Sequence, residues 1–391
     1  MPVILDARTA TDHFPGIGRY VVSLASALAR VTAEINLMLL HDPSAPSMRL
    51  TLPDLPRIHC PVSPFSIRQQ WSVPSHLRRA KATLYHSPYY LMPYWPGVPT
   101  VFTCYDFIPL IYPEYFTASQ RLIYRTTHIL AINTARVTLA ISEATKRDLV
   151  RFFGVDPQRI VVTPLAADPH LIPEPPDRVD FVQRKYSLPE RYVLYLGSNK
   201  PHKNLARLVQ AWQISNLKSQ TPALRAGASV SNLKLVIAGH WDNRYLEAKR
   251  FVEEQGLQEQ VVFAGPVAEA DLPALYSGAS LFVFPSLYEG FGLPVIEAMA
   301  CGAPVVCSNT SSLPEAAGDA ALLVDPLDAN ALAEAIIRAL ANDELRHALR
   351  EKGLAQAAKF SWEQTARETH KAYELARSCG AAYNHRQENA R

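Results

Sequence analysis

At 391 residues, 48% hydrophobic and 19% charged, the chain has a folded, globular composition and enough length for two domains. Its formal net charge of +3, with no Lys/Arg-rich run and no aromatic RNA-binding pattern, argues against nucleic acid. That charge suits an anionic small molecule or an acidic membrane surface.

The N-terminus enters an apolar strand at once, Val3–Asp6, with no basic segment before it, so no signal peptide is expected. An amphipathic helix over Arg19–Arg30 follows, with apolar Val22, Leu24, Ala25 and Leu28. Ile35–Leu40 and Pro99–Cys104 read as buried strands, Gln120–Ala135 as a helix and Val137–Ile141 as a strand. Ser142 caps a helix running to Phe153 with Glu143 in its first turn, and Ile160–Thr163 closes the set. Pro164–Arg178 carries five prolines in fifteen residues and reads as an interdomain linker.

The alternation then restarts. Strands are expected at Tyr192–Leu196, Leu233–Ala238, Val261–Ala264, Leu281–Pro285 and Pro304–Cys307. Helices are expected at Asn204–Gln213, Tyr245–Glu254, Leu272–Ser277 and Pro294–Ala300, with a helical tail over Ala329–Arg350 and Ser361–Arg377. Asn216–Val230, rich in small and polar residues, reads as a mobile surface insertion. The expected fold is therefore α/β, two doubly wound Rossmann-like domains with a ligand cleft at the carboxyl ends of their strands. The domains are expected at 1–170 and 171–360, with 361–391 a helical tail packing back on the first. No apolar stretch approaches a membrane span. The cysteines, Cys60, Cys104, Cys301, Cys307 and Cys379, form no CxxC pair, so a disulfide framework and a zinc site are not expected and a reducing compartment fits.

The motif with most chemical content is Pro285-Ser-Leu-Tyr-Glu289-Gly290-Phe291-Gly292-Leu293-Pro294-Val-Ile-Glu297. A buried strand ends, a glycine-flanked loop follows, and Pro294 falls where a first helical turn begins. The free N–H groups of Gly292 and Leu293, beside the positive helix end, make an anion site suited to a diphosphate. Glu297 lies about one turn into the helix, where it could accept two hydrogen bonds from a ribose diol. Glu289 stays on the loop, nearer a projecting sugar. As isolated residues the two glutamates would read more simply, as a dipole-stabilised carboxylate and a solvated loop residue. The glycines and the E-x7-E spacing favour the binding role.

Further motifs accompany it: Gly197-Ser198-Asn-Lys200-Pro-His202-Lys203-Asn204, Phe263-Ala-Gly265-Pro-Val267, Asp319 through Asp325, and Phe360-Ser-Trp362. Together they resemble glycosyltransferase family 4, whose members have the two-domain GT-B fold, from the Gly16 loop to Trp362. The resemblance implies a retaining hexosyltransferase using a nucleoside-diphosphate sugar as substrate, with no cofactor. Lys203 would offer its ammonium to the diphosphate, Gly265 and Val267 would meet the nucleobase with backbone groups, and His86 would reach the donor sugar. Two positions depart from the pattern: Ser198 stands where many relatives have arginine, and His202 precedes Lys203 in place of arginine. A third departure is Tyr105, which replaces the histidine of a His-Asp pair completed here by Asp106.

Phe14-Pro-Gly16-Ile-Gly18-Arg-Tyr20 opens a helix after the first strand and could present N–H groups to the donor phosphate or acceptor. A dinucleotide fingerprint is the rival reading. It fails because nine residues separate Asp6 from Gly16 and Val21 holds the third glycine position. Ser87–Gly97, with four aromatics and three prolines, is either rigid packing or an acceptor platform in which Tyr90 and Trp95 stack on sugar or lipid.

The expected reaction is glycosyl transfer to a hydroxyl of a glycan or lipid-linked acceptor, retaining, by front-face attack assisted by the leaving phosphate. Lys203 and the Gly292–Leu293 amides would stabilise the leaving group in place of a metal ion, since no Asp-x-Asp motif is present. Mannose from guanosine diphosphate is the first expectation, uridine-diphosphate sugars the second. The alternative is a glycosyltransferase-like nucleotide-binding or scaffold protein without turnover. Location is expected to be cytoplasmic, either free or peripheral to the inner face of the membrane.

Overall fold

A computed structural model describes residues 2–11, 15–31, 35–44, 51–219 and 233–388. The chain divides into two compact units, residues 1–165 with 361–391 and residues 166–360.

Unit 1 runs β1 (Pro2–Asp6), α1 (Pro15–Val31), β2 (Asn36–His41), β3 (Arg57–His59), α2 (Gln69–Arg79), β4 (Leu84–Ser87), β5 (Thr100–Cys104) and α3 (Ile108–Ile111). It continues with α4 (Ala118–Thr134), β6 (Val137–Ala140), α5 (Glu143–Phe153) and β7 (Ile160–Val162). The seven strands form one sheet in the order β3-β2-β1-β4-β5-β6-β7, with every pairing parallel. Val3, Ile4 and Leu5 are fully buried, as a parallel strand covered on both faces requires. Ser142 accepts from the Thr145 N–H at 2.9 Å to start α5, and Gly154, in the left-handed region at φ 62°, stops it.

Unit 2 runs α6 (Pro176–Lys185), β8 (Tyr192–Leu196), α7 (Leu205–Ser219), β9 (Lys234–Ala238), α8 (Glu247–Glu254), β10 (Val261–Gly265), α9 (Leu272–Ser277) and β11 (Leu281–Phe284). It ends with α10 (Leu293–Ala300), β12 (Val305–Ser308), α11 (Leu313–Ala317), β13 (Ala321–Val324), α12 (Ala329–Ala341) and α13 (Asp343–Ala357). Its six strands are parallel in the order β10-β9-β8-β11-β12-β13. The chain then returns to unit 1 as α14 (Trp362–Glu388), which packs along α1. No helix among the described residues is long and apolar enough to cross a membrane.

The doubly wound α/β expectation holds, with local corrections. The stretch read as linker ends in a helix, because Pro176 sits in the first turn of α6, where a missing N–H costs nothing. The single helix expected over Ala329–Arg350 is two. Asn342 is extended and caps α13 through Leu345 N–H at 2.9 Å, so its side chain competes with helix continuation. Asn216–Ser219 belong to α7; the rest of the expected insertion lies outside the described residues. β3, α2, α3, α11 and β13 were not anticipated as elements.

Candidate active site

In each sheet the strand order reverses once, between β1 and β4 and between β8 and β11. Ligands of open α/β sheets bind outside the carboxyl ends of the strands at such a reversal. In unit 2 the loops leaving β8 and β11 carry Lys203 and Glu289.

These loops are fastened together. The Leu287 N–H donates to the His202 carbonyl at 2.7 Å. Asn204, in the left-handed region at φ 62°, donates its amide to the carbonyls of Pro285 at 3.1 Å and Pro326 at 2.8 Å. Lys203 Nζ is consequently 2.6 Å from Glu289 Oε1, with the two side chains only 15% and 12% exposed, and lies over the Phe284 ring at 5.1 Å. The His202 imidazole is held down to about 4, by burial first and then by Lys203, so it is neutral at pH 7 and adds no charge.

A third loop, missed from the sequence, frames Glu289. Its N–H donates to Ser311 Oγ at 2.9 Å, its carbonyl accepts from Ser312 Oγ at 2.9 Å, and Thr310 Oγ1 donates to the Leu287 carbonyl at 3.1 Å. Asn309-Thr-Ser-Ser312 directly after an apolar strand was the available signal.

Gly292 precedes α10 at φ 96°, and a Cβ there would lie 2.7 Å from Leu313 Cδ2. Glycine is therefore the residue this turn accepts. The N–H groups of Gly292 and Leu293 find no acceptor among the described residues. Phe291 is buried and meets Phe360 edge-on at 5.5 Å, while Gly290 is half-buried on the loop. Glu297 is buried on α10 and accepts from the Tyr276 hydroxyl at 3.0 Å. Ser198 is half-buried, and its carbonyl accepts from the Tyr195 hydroxyl at 2.7 Å. Gly265 accepts from the Gly239 N–H at 2.8 Å, where a Cβ on Gly239 would sit 2.2 Å from the Gly197 carbonyl oxygen. The loops after β8, β9 and β10 thus converge backbone to backbone, with Val267 half-buried just beyond.

In unit 1 the candidates are dispersed. Gly16 and Gly18 lie in the first turn of α1; the first is exposed and the second buried. His86 lies within β4 and is fully buried. Its Nδ1 is 2.8 Å from the Tyr373 hydroxyl of α14, and its Nε2 is 2.7 Å from Thr103 Oγ1, so both ring nitrogens are engaged. Burial holds its imidazole down to about 3. Tyr105 packs edge-on to Tyr20 at 5.6 Å with its hydroxyl buried and unpartnered. Asp106 Oδ1 accepts from the Ile108 N–H at 3.2 Å, and its carbonyl accepts from the Tyr124 hydroxyl at 2.7 Å, so this residue organises the turn into α3. Tyr90 packs on His128 at 4.2 Å and Tyr124 at 5.4 Å, whereas Trp95 is 75% exposed. A buried cluster at the end of β1 was also missed: Asp6 accepts from the Tyr85 hydroxyl and the Arg8 guanidinium, both at 2.6 Å.

Two parallel sheets of this topology, with an open helix N-terminus at the strand-order reversal of unit 2, define a GT-B-type nucleotide-sugar enzyme. Residues 15–171 match Glycosyltransferase Family 4, and residues 179–356 match Glycosyl transferases group 1. The chain is 33% identical over 398 residues to the O-antigen chain mannosyltransferase B of Escherichia coli, covering 96% of this chain and 100% of that one. It is 31% identical over 274 residues to the serotype-specific mannosyltransferase WbdA of Escherichia coli, 68% of this chain and 32% of that protein. Its structure matches sucrose-phosphate synthase from Thermosynechococcus elongatus with TM-score 0.73 and 25% identity, covering 98% and 100% of the two chains. The chain belongs to glycosyltransferase family 4 and is a hexosyltransferase.

Proposed function

We propose that the chain moves a mannosyl group, with retention, from a nucleoside-diphosphate mannose to a hydroxyl of a growing surface polysaccharide or lipid-linked glycan. The observation that carries this is the Lys203–Glu289 pair beside the open Gly292 and Leu293 amides, all on loops at the β8/β11 reversal. The sugar and the polysaccharide context draw support from the two mannosyltransferases to which the chain is similar.

In this reading the diphosphate lies across the N-terminus of α10, where two N–H groups and the Lys203 ammonium offset its charge. Glu297 takes the ribose and Glu289 the sugar hydroxyls; Gly265 and Val267 border the base, with guanine the first assignment. The acceptor oxygen forms its bond to the anomeric carbon as the bond from that carbon to the β-phosphate oxygen breaks. The acceptor proton passes to the departing phosphate, and the nucleoside diphosphate leaves. Lys203 is paired with Glu289 before donor arrives, so donor phosphate and sugar divide a preformed ion pair between them. In unit 1, acceptor recognition is assigned to Trp95 and the Asp106 turn, with Tyr90 anchoring the aromatic loop from its inner side and first-turn amides of α1 at Gly16 and Gly18 as a further anion contact. His86, with both nitrogens held, is assigned a positioning role at the end of β4.

A thermal-shift screen of nucleoside-diphosphate sugars, followed by a transfer assay with excess EDTA, tests the proposal. Guanosine-diphosphate mannose at about 100 times its dissociation constant should stabilise the protein by about 2.7 kcal/mol. Transfer should survive chelation, because the charges assigned to the diphosphate belong to the protein. Stabilisation by every other donor but not by a mannose donor would refute the sugar; loss of transfer restored by magnesium or manganese would refute the mechanism.

A further inference from the structure

Unit 1 has a pocket that the donor reading does not use. It lies between the α3 turn, the N-terminal half of α4 and the end of α5, with a volume of about 560 Å³. Such a volume is in the range of small-molecule sites. Three of its lining side chains are arginines, Arg121, Arg125 and Arg151, and no Asp or Glu lines it. The guanidiniums of Arg121 and Arg125 make no ion pair or hydrogen bond among the described residues, and that of Arg151 rests only over the Phe152 ring at 5.0 Å. Arg121 Nε is moreover inaccessible and without any acceptor. A buried donor without an acceptor is costly, and no group among the described residues accepts from it.

The remaining walls are apolar. Pro113, Leu122 and Phe152 line the pocket, and Leu122 and its neighbour Ile123 are 66% and 62% exposed on the surface of α4. Three arginines and apolar side chains lining one pocket match a phosphate-type anion attached to an apolar group; a guanidinium binds such oxygens two at a time. The pocket wall is also tied to the Asp106 turn, because the Tyr124 hydroxyl of α4 donates to the Asp106 carbonyl.

We propose that this pocket is a binding site for a phosphate or diphosphate ester carrying an apolar substituent, separate from the donor site of unit 2. One chemistry serves two sources, a free phosphorylated ligand and a lipid phosphate, and the test distinguishes them.

The full-length protein is first saturated with a nucleoside diphosphate, which occupies the unit 2 site. Inorganic pyrophosphate is then titrated by calorimetry, and in parallel the protein is sedimented with phosphatidylcholine vesicles with or without dihexadecyl phosphate. Binding of at least one probe is expected, and Arg125→Gln/Arg151→Gln should weaken it roughly tenfold or more. Both of these arginines are exposed, so the double variant should fold normally. Arg121→Gln, with a less accessible side chain, should weaken the same probe while nucleoside-diphosphate affinity stays unchanged in all variants. Pyrophosphate binding without vesicle binding assigns a free ligand; vesicle binding that requires dihexadecyl phosphate assigns a lipid. If neither probe binds, or the double variant binds as tightly as the parent, the site does not exist. A failure of nucleoside-diphosphate binding would count against the donor reading alone.

Discussion

In unit 2 Lys203, Glu289 and Gly292 sit on loops tied to one another by side chain to backbone hydrogen bonds; in unit 1 most candidates are packed into the body of the domain. Lys203 and Glu289 meet at 2.6 Å while two N–H groups beside them stay open. His86, by contrast, gives both nitrogens to Tyr373 and Thr103, and Tyr90 is stacked on His128. A charged residue on a glycine-flanked loop has no packing reason to be there, so its chemistry shows through. A histidine or tyrosine in a strand or apolar loop serves the core equally well, and its residue type alone does not separate the two uses.

The largest expected effect is on acid stability, and it should separate the two units. His86 and His128 in unit 1 are held down to about 3 and about 4, and His202 in unit 2 to about 4, each chiefly by burial. A lowered folded value means that the unfolded chain binds the proton first. The stabilisation is complete above the unfolded value, about pH 6.5, and is lost as pH falls towards the folded value. Each histidine should remove about 1.4 kcal/mol per pH unit within that window. Hydrogen exchange between pH 6.5 and 4.5 should therefore show unit 1 losing protection faster than unit 2. Equal slopes in the two units, or none, would contradict the contrast between them.

Next is Glu289. Hydrogen bonds to sugar hydroxyls that tighten as the glycosidic bond stretches lower the barrier more than they aid ground-state binding. Glu289→Ala should cut turnover by roughly two orders of magnitude, about 2.7 kcal/mol, with little change in nucleoside-diphosphate affinity. Normal turnover with badly weakened nucleotide binding would show that the roles of the two glutamates are exchanged. Glu297→Gln should do the reverse, costing about 1.5–2 kcal/mol of donor binding through lost charge-assisted hydrogen bonds. Tyr276→Phe is its control, since it removes one hydrogen-bond donor to Glu297 while leaving the carboxylate. Calorimetry that finds donor affinity unchanged in Glu297→Gln would make the residue structural.

The order of elements was legible wherever apolar runs were long and punctuated, as at β8, α5 with its Ser142 cap, and α9. It was not legible in short or polar elements. β3 is three residues of Arg-Ile-His at a sheet edge, and α2 contains Pro74, so neither has a period long enough to detect. At the candidate site, the loop positions of Glu289, Gly292 and Lys203 could be read from glycines and the switch of period. The ion pair between residues 86 apart in sequence could not, because it depends on the β8–β11 neighbour relation that one sequence does not encode locally. The Thr310–Ser312 frame was missed for the same reason. Tyr90 and Trp95, five residues apart in one aromatic loop, looked alike in sequence, and only the fold sends one inward and the other outward.

That last divergence gives the smallest and sharpest expectation. The aromatic loop is anchored on its inner side: Gln70 of α2 donates to the Met92 carbonyl and accepts from the Tyr94 N–H, both at 2.9 Å, and Thr134 of α4 donates to the Tyr94 carbonyl at 3.0 Å. The loop should therefore keep its shape when an outward side chain is removed. Trp95, 75% exposed, contributes little to the core, so Trp95→Ala should leave the melting temperature unchanged. If its indole stacks on an acceptor sugar or lipid, acceptor KM should rise by roughly 2- to 12-fold, the range of an aromatic contact worth about 0.5–1.5 kcal/mol. Turnover at saturating acceptor and donor affinity should not move, because the contact is equal in ground and transition states. Tyr90→Phe, which deletes only a hydroxyl partnered by Tyr89, should leave acceptor KM as it is and lower stability by about 1 kcal/mol. An unchanged acceptor KM in Trp95→Ala would remove the platform from unit 1, and a raised donor KM there would place the loop in donor binding instead.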